Sequence, residues 1–147
     1  MTTARLNPMK ELPLLGWRED IALPALGIAH ITAKLDTGAR TSAIHAFDIE
    51  KTGRRRMRFG VHPVQDNPRT VWCEAMLVDE RTVIDTSGRR ELRPVIRTAV
   101  ILGGYRWTIE ATLTARDAMR HRVLLGRTAL AGRFVINPAA SFLMGKP

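Results

Sequence analysis

Ala33-Lys34-Leu35-Asp36-Thr37-Gly38-Ala39-Arg40-Thr41-Ser42 is the stretch that decides what the rest of this chain can be. Upstream of it, Ile28, Ile31, Ala33 and Leu35 are apolar with a period near two, which predicts a strand over 28–35. That strand runs straight into Asp36-Thr37-Gly38 and a small residue, Ala39. A carboxylate at a strand end can be fixed rigidly by the sheet behind it. A Thr hydroxyl beside it can lock the loop, and a Gly lets backbone or ligand approach closely. The tripeptide alone also suits an ordinary Asx turn, so its meaning depends on its surroundings.

Working outward, the surroundings are short β-like segments separated by turns. Trp17 to Leu23 precedes Pro24, and Ile44 to Ile49 reads as a strand. Arg54 to Val61 reads as another, with Met57, Phe59 and Val61 alternating against basic residues, followed by Val71 to Val78. Thr82 to Ile84 and Glu91 to Val100 flank Asp85-Thr86-Ser87-Gly88-Arg89-Arg90, a hairpin signal with Ser-Gly between two β-prone runs. After Gly103-Gly104, Tyr105, Trp107, Ile109, Ala111 and Leu113 alternate with polar residues. Thr114 to Met119 is the best helical candidate, and Arg127 to Gly132 allows one or two helical turns. Val123-Leu124-Leu125-Gly126 and Phe134 to Asn137 complete the set of strands. Many short strands with at most one or two short helices predict an all-β barrel or sandwich. The expected organisation is a flexible arm over residues 1–15 and a single domain over 16–147.

Three features taken together are more specific than any one of them: Asp36-Thr37-Gly38-Ala39, a Gly-tipped hairpin at Gly88, and Leu124-Leu125-Gly126-Arg127 before a short helix. In this combination the chain resembles the retropepsin-like aspartic proteases, in particular the bacterial branch associated with RimK-type glutamate ligases, often labelled "ATP-dependent zinc protease". The resemblance runs from about Gly16 to about Pro138. It implies a closed acid-protease barrel with a flap hairpin and one short helix. It also implies a homodimer, because one Asp-Thr-Gly per chain supplies one of two required carboxylates. Asp36 is then the catalytic residue, Thr37, Gly38 and Ala39 the active-site loop, and Leu125 and Gly126 its structural neighbours. The hairpin tip Thr86-Ser87-Gly88-Arg89 becomes a flap that closes over substrate. Two carboxylates sharing one proton split their apparent pKa values, so one activates a water and the other protonates the peptide carbonyl.

The chain departs from the better-known members of that family in one telling place. They carry an Asp after Asp-Thr-Gly-Ala that pairs with the Arg of the later Gly-Arg. Here the position is Arg40, so Arg127 needs another partner. Arg40, Arg89, Arg90 and Arg127, with Thr41, Ser87 and Gly88, are the expected substrate-binding residues. Four guanidinium groups around one cleft point to an acidic substrate, Glu-rich peptide or polyglutamate, and to a functional link with a RimK-type ligase. Recognition of ionised Glu places the expected optimum in the mildly acidic to neutral range, above about pH 4.3.

Composition sets the outer limits. The chain has 147 residues, a net charge of +9 and 45% hydrophobic residues, enough for one domain with a real core. Almost all the positive charge is Arg; the lysines are Lys10, Lys34, Lys51 and Lys146. An acidic partner follows from that balance, and a non-catalytic basic module for acidic protein, ribosomal or nucleic-acid partners is the alternative function. Nucleic acid is disfavoured, since only Phe59 and Trp72 lie near the Arg54-Arg55-Arg56 and Arg58 run to stack on bases. His30, His45, His62 and His121 fall at no metal-ligand spacing, and no phosphate-binding Gly-x-x-x-x-Gly-Lys-Ser/Thr occurs, so no metal or cofactor is expected. Cys73 is the only cysteine and reads as a small core residue. With no disulfide, signal peptide or bilayer-length apolar run, the expectation is a cytoplasmic protein without a membrane segment.

Overall fold

The computed structural model describes residues 12–84, 87–115 and 120–147. In chain order the strands are β1 (Leu14–Gly16), β2 (Arg18–Leu23), β3 (Ile28–Asp36), β4 (Ser42–His45), β5 (Phe47–Gly53), β6 (Arg56–Val61), β7 (Val71–Ile84), β8 (Arg90–Leu102), β9 (Tyr105–Thr114), β10 (Val123–Gly126) and β11 (Val135–Asn137). One turn of α-helix, α1 (Arg127–Leu130), follows β10. Six strands close a barrel in the order β2-β3-β10-β4-β9-β8, and the pairing of Ala22 with Ile101 completes the ring. The all-β barrel expected from the sequence is therefore the observed architecture. Strands β7, β6 and β5 continue outward from β8 as an antiparallel extension, and β1 pairs parallel with β11 in a separate two-stranded sheet.

The barrel forms because alternating strands point every second side chain inward. On β9, Trp107, Ile109, Ala111 and Leu113 are buried, as the period of two demands. Tyr105, at the strand's open end, stays half-exposed and meets the edge of Phe134. Thr112 and Thr114 are buried as well, because β4 lies alongside in parallel and their hydroxyls find acceptors in Ser42 O (3.3 Å) and the Glu91 carboxylate (3.3 Å). Met57, Phe59 and Val61 enter the same core from β6. Cys73 is buried among them. Burial pushes its thiol up to about 11, and its Sγ lies 3.4 Å from the carbonyl of Leu26.

Several element boundaries differ from the sequence reading, each for a local reason. Ile44 to Ile49 is not one strand. The chain breaks at the fully buried Ala46, leaves the barrel with β4 and enters the outer sheet as β5, with Asp48 in the left-handed region at φ 49°. Arg54 and Arg55 form the β5–β6 turn rather than the start of a strand. Thr114 ends β9 instead of opening a helix, since it pairs with His45; positions 116–119 of that expected helix lie outside the described residues. Most of the expected arm over 1–15 also lies outside them. Its last part is ordered: Leu14 and Leu15 belong to β1, and Leu15 is fully buried.

The buried Glu19 explains how this edge is held. Its carboxylate accepts the backbone N–H groups of Gly16 (2.7 Å), Leu143 (2.9 Å) and Met144 (3.1 Å), tying β1 and the C-terminal segment to β2. Three charge-assisted bonds of this kind offset the cost of burying the carboxylate. No helix among the described residues is long and apolar enough to cross a membrane.

Candidate active site

Asp36 is the last residue of β3, and β10 pairs with β3 on one side and β4 on the other around it. β10 runs parallel to β3 with Leu125 opposite Leu35 and Gly126 opposite Asp36. β10 also pairs antiparallel with β4, the strand that follows the Asp36 loop. The two sequence motifs therefore meet side by side, and the loop over residues 37–41 is held between two strands of one barrel.

That loop is fixed by hydrogen bonds on every side. Gly38 N–H donates to Asp36 Oδ1 (3.0 Å), which sets the carboxylate against its own turn. The second oxygen, Oδ2, accepts no hydrogen bond from another described residue. Arg127 N–H donates to Ala39 O (2.7 Å), while the N–H and hydroxyl of Thr128 both donate to Arg40 O (3.1 and 2.9 Å). The start of α1 is thus stitched to the loop. Gly126 leaves no room for a side chain, because a Cβ there would lie 2.5 Å from the carbonyl group of Thr41 and 2.9 Å from Ala39 O. Its N–H donates to the buried Ser42 Oγ (3.0 Å).

Arg127 finds its partner in the loop itself. Its Nη1 donates to Thr37 O (3.1 Å) and reaches Gly38 O at 3.4 Å, so a guanidinium clamps the two backbone carbonyls that follow Asp36. Thr37, whose hydroxyl is expected to lock the loop, is exposed; a buried hydroxyl, that of Ser42 at the start of β4, holds the neighbouring strand end at Gly126. Ser42 carried no signal beyond being a small polar residue at a turn, so the sequence offered no route to it.

A cavity of about 520 Å³ opens beside the loop, lined by Arg40, Thr41, Arg81, Trp107, Thr128 and Arg133 among others. Among the described residues Glu110 is the one acid in its wall, and it is engaged by Arg81 (2.9 Å) and Arg97 (3.4 Å). Arg81 also binds Asp79 at 3.0 Å, so its guanidinium is oriented by two carboxylates, Glu110 first and then Asp79, which hold its pKa above the ordinary value; the Glu80 backbone N–H, and after it Arg81, hold the Asp79 carboxyl below the ordinary value. Arg40 was expected near the substrate, and it lines this cavity. Arg81 and Arg133, absent from the sequence expectation, join it because β7 and the segment after α1 pass the same opening. Ser87, Gly88, Arg89 and Arg90 lie exposed at the tip of the β7–β8 hairpin, with Gly88 at φ 84°; Thr86 lies outside the described residues. Among the described residues no three His, Cys, Asp or Glu side chains gather as a metal site.

The sequence model described as the retropepsin-like aspartic endopeptidase RimB matches residues 14–147. The chain belongs to this RimB-like family. A protein named probable alpha-L-glutamate ligase from Shewanella halifaxensis is 39% identical over 137 residues, covering 90% of this chain and 30% of that protein. One of the same name from Parasynechococcus marenigrum is 43% identical over 136 residues, covering 90% and 29%. The RimB-like chain therefore spans about 30% of the length of the curated relatives it matches. A crystal structure of a Legionella pneumophila protein of unknown function superposes with a TM-score of 0.74 at 29% identity, over 90% of this chain and 98% of the other.

Proposed function

We propose that this RimB-like chain is one subunit of a homodimeric aspartic endopeptidase acting on acidic, Glu-rich or polyglutamate peptides. The observation that carries the reading is the placement of Asp36. It stands at the end of a barrel strand, on a loop clamped by Arg127 and α1, with one carboxylate oxygen turned by Gly38 and the other unengaged among the described residues. A two-fold axis at this loop would bring two such carboxylates together. Like charges at that distance cannot both ionise, so one Asp36 holds the shared proton. The ionised partner takes a proton from a water as it attacks the peptide carbon. The protonated partner donates to the carbonyl oxygen, and the tetrahedral species collapses with proton transfer to the leaving nitrogen. The tightly bonded loop supplies the pre-organisation this needs.

The acidic substrate is supported by the cavity beside the loop that carries Arg40 and Thr41, where Arg40, Arg81 and Arg133 outnumber Glu110, the one acid among the described lining residues. A working link to a RimK-type glutamate ligase is supported by the relatives that carry that activity in their names. The same fact favours a second reading. A segment amounting to about 30% of a ligase could be a non-catalytic module that holds the acidic product. Incubation with poly-α-glutamate and with casein, using the parent and Asp36→Asn, separates the two. The protease reading expects polyglutamate to be cut by the parent only. Binding without cleavage by either protein supports the module, and cleavage that survives Asp36→Asn sinks the aspartyl mechanism.

A further inference from the structure

A second basic pocket lies beside β3, the strand that ends at Asp36. It measures about 350 Å³, and Arg18, His30, Thr32, Arg120, His121 and Arg122 line it. Residues 30, 32, 34 and 36 of β3 share one face because strand side chains alternate. Lys34 is the cross-strand partner of Arg18 and is exposed between the pocket and Asp36. At about 3.3 Å per residue, Lys34 is roughly 7 Å and His30 roughly 20 Å from Asp36 along the strand.

The pocket is positive and ordered. Arg18 is held between the rings of Trp17 (4.8 Å) and Phe142 (4.9 Å), so its guanidinium does not wander. Arg122 donates Nη1 towards His45 Nδ1 (3.1 Å), and its buried Nε has no hydrogen-bond partner among the described residues. The nearby acid Asp20 is already engaged by Thr32 (2.9 Å) and His30 (3.1 Å). The accumulated charge shows in His121: burial first, then Lys34, Arg18 and Arg120, hold its pKa below the ordinary value. A nucleic acid fits poorly, since the ring face of Phe142 that a base would stack on is covered by Arg18.

We propose that this pocket is a second carboxylate-binding subsite, which seats acidic side chains of an extended substrate about two to six residues from the bond held at Asp36. The proposal rests on the protease reading for the position of that bond. It makes recognition depend on chain length, because only a long acidic peptide reaches both basic pockets.

The test uses the full chain carrying Asp36→Asn, so that binding is read without cleavage. Fluorescence anisotropy measures labelled tri- and deca-α-glutamate at low salt. Decaglutamate is expected to bind at least about tenfold more tightly than triglutamate. Lys34→Glu with Arg120→Glu should bring decaglutamate to within about twofold of triglutamate, while Arg54→Glu on the distant β5–β6 turn costs less than about twofold. The milder pair Lys34→Gln with Arg120→Gln, checked by thermal melting, should lose affinity in the same direction. Unchanged decaglutamate affinity in both paired variants overturns the proposal. So does an equal loss with Arg54→Glu, which would reduce the effect to net charge, or tighter binding of a single-stranded RNA of matched length. Failure here with Asp36-dependent cleavage intact would remove the subsite and leave the protease.

Discussion

Replacing Ser42 by Ala tests the structural account of the loop most sharply, because the change removes one oxygen and nothing else. Ser42 Oγ accepts the N–H of Gly126 at 3.0 Å in a buried setting, and Gly126 is the residue paired with Asp36. The backbones of Thr41 and Ala39 lie too close to Gly126 to admit even a methyl group, so the strand end is tightly packed where its N–H would need a substitute acceptor. The orphaned N–H should cost about 1–3 kcal/mol. For a domain near 150 residues this lowers Tm by roughly 3–9 °C, taking about 3 °C per kcal/mol. Thermal unfolding of the two proteins followed by circular dichroism at one pH and ionic strength reads the difference. Activity should fall further than stability at a temperature where both are folded, since the loop carrying Asp36 loses a fixed point. A Tm within about 1 °C of the parent would refute the reasoning, because a buried donor cannot be abandoned at that cost.

Other consequences are independent of that one. Gly126→Ala should fail to fold or lose activity outright, because its Cβ would overlap the carbonyl group of Thr41; a folded, fully active variant would contradict the packing. Glu19→Ala leaves one buried and two part-buried N–H groups without their acceptor and should lower stability by about 3 kcal/mol in urea titration. His121 has a lowered folded-state pKa, so the unfolded chain binds the extra proton first. Stability from this residue is present above about pH 6.5 and is lost as pH falls towards the folded value; His121→Gln should flatten the Tm profile between about pH 5 and 7. Cys73, buried with its pKa raised to about 11, should resist a thiol reagent at about pH 8 until denaturant is added.

The barrel was legible because its information is local. Trp107 through Leu113 in the barrel, and Met57, Phe59 and Val61 in the sheet that extends it, alternate over whole strands, and that period alone places each on a half-buried sheet. Asp36-Thr37-Gly38 was legible as a strand end running into a tight turn. The interactions that fix the loop were not, because they join residues far apart in sequence. Ser42 meets Gly126 across 84 positions and Arg127 meets Thr37 across 90. Nothing in the identity of a serine or an arginine announces such a partner. Glu19 is the clearest case: beside Arg18 and Asp20 it reads as a solvated charge, yet it is fully buried because backbone donors from both ends of the domain converge on it. Arg81 and Arg133 were missed for a related reason, since only closure of the barrel brings β7 and the segment after α1 to the cavity beside Arg40.

The central claim is that a working site needs Asp36 from two chains, and a mixing titration tests it directly. A fixed amount of parent is combined with increasing Asp36→Asn chain, allowed to exchange subunits, and assayed on poly-α-glutamate. With random assortment into dimers, an equal amount of the variant should cut the parent's activity to about half, and larger excess should drive it towards zero. Activity that stays constant at every ratio, while the chains demonstrably exchange, would contradict the shared carboxylate pair.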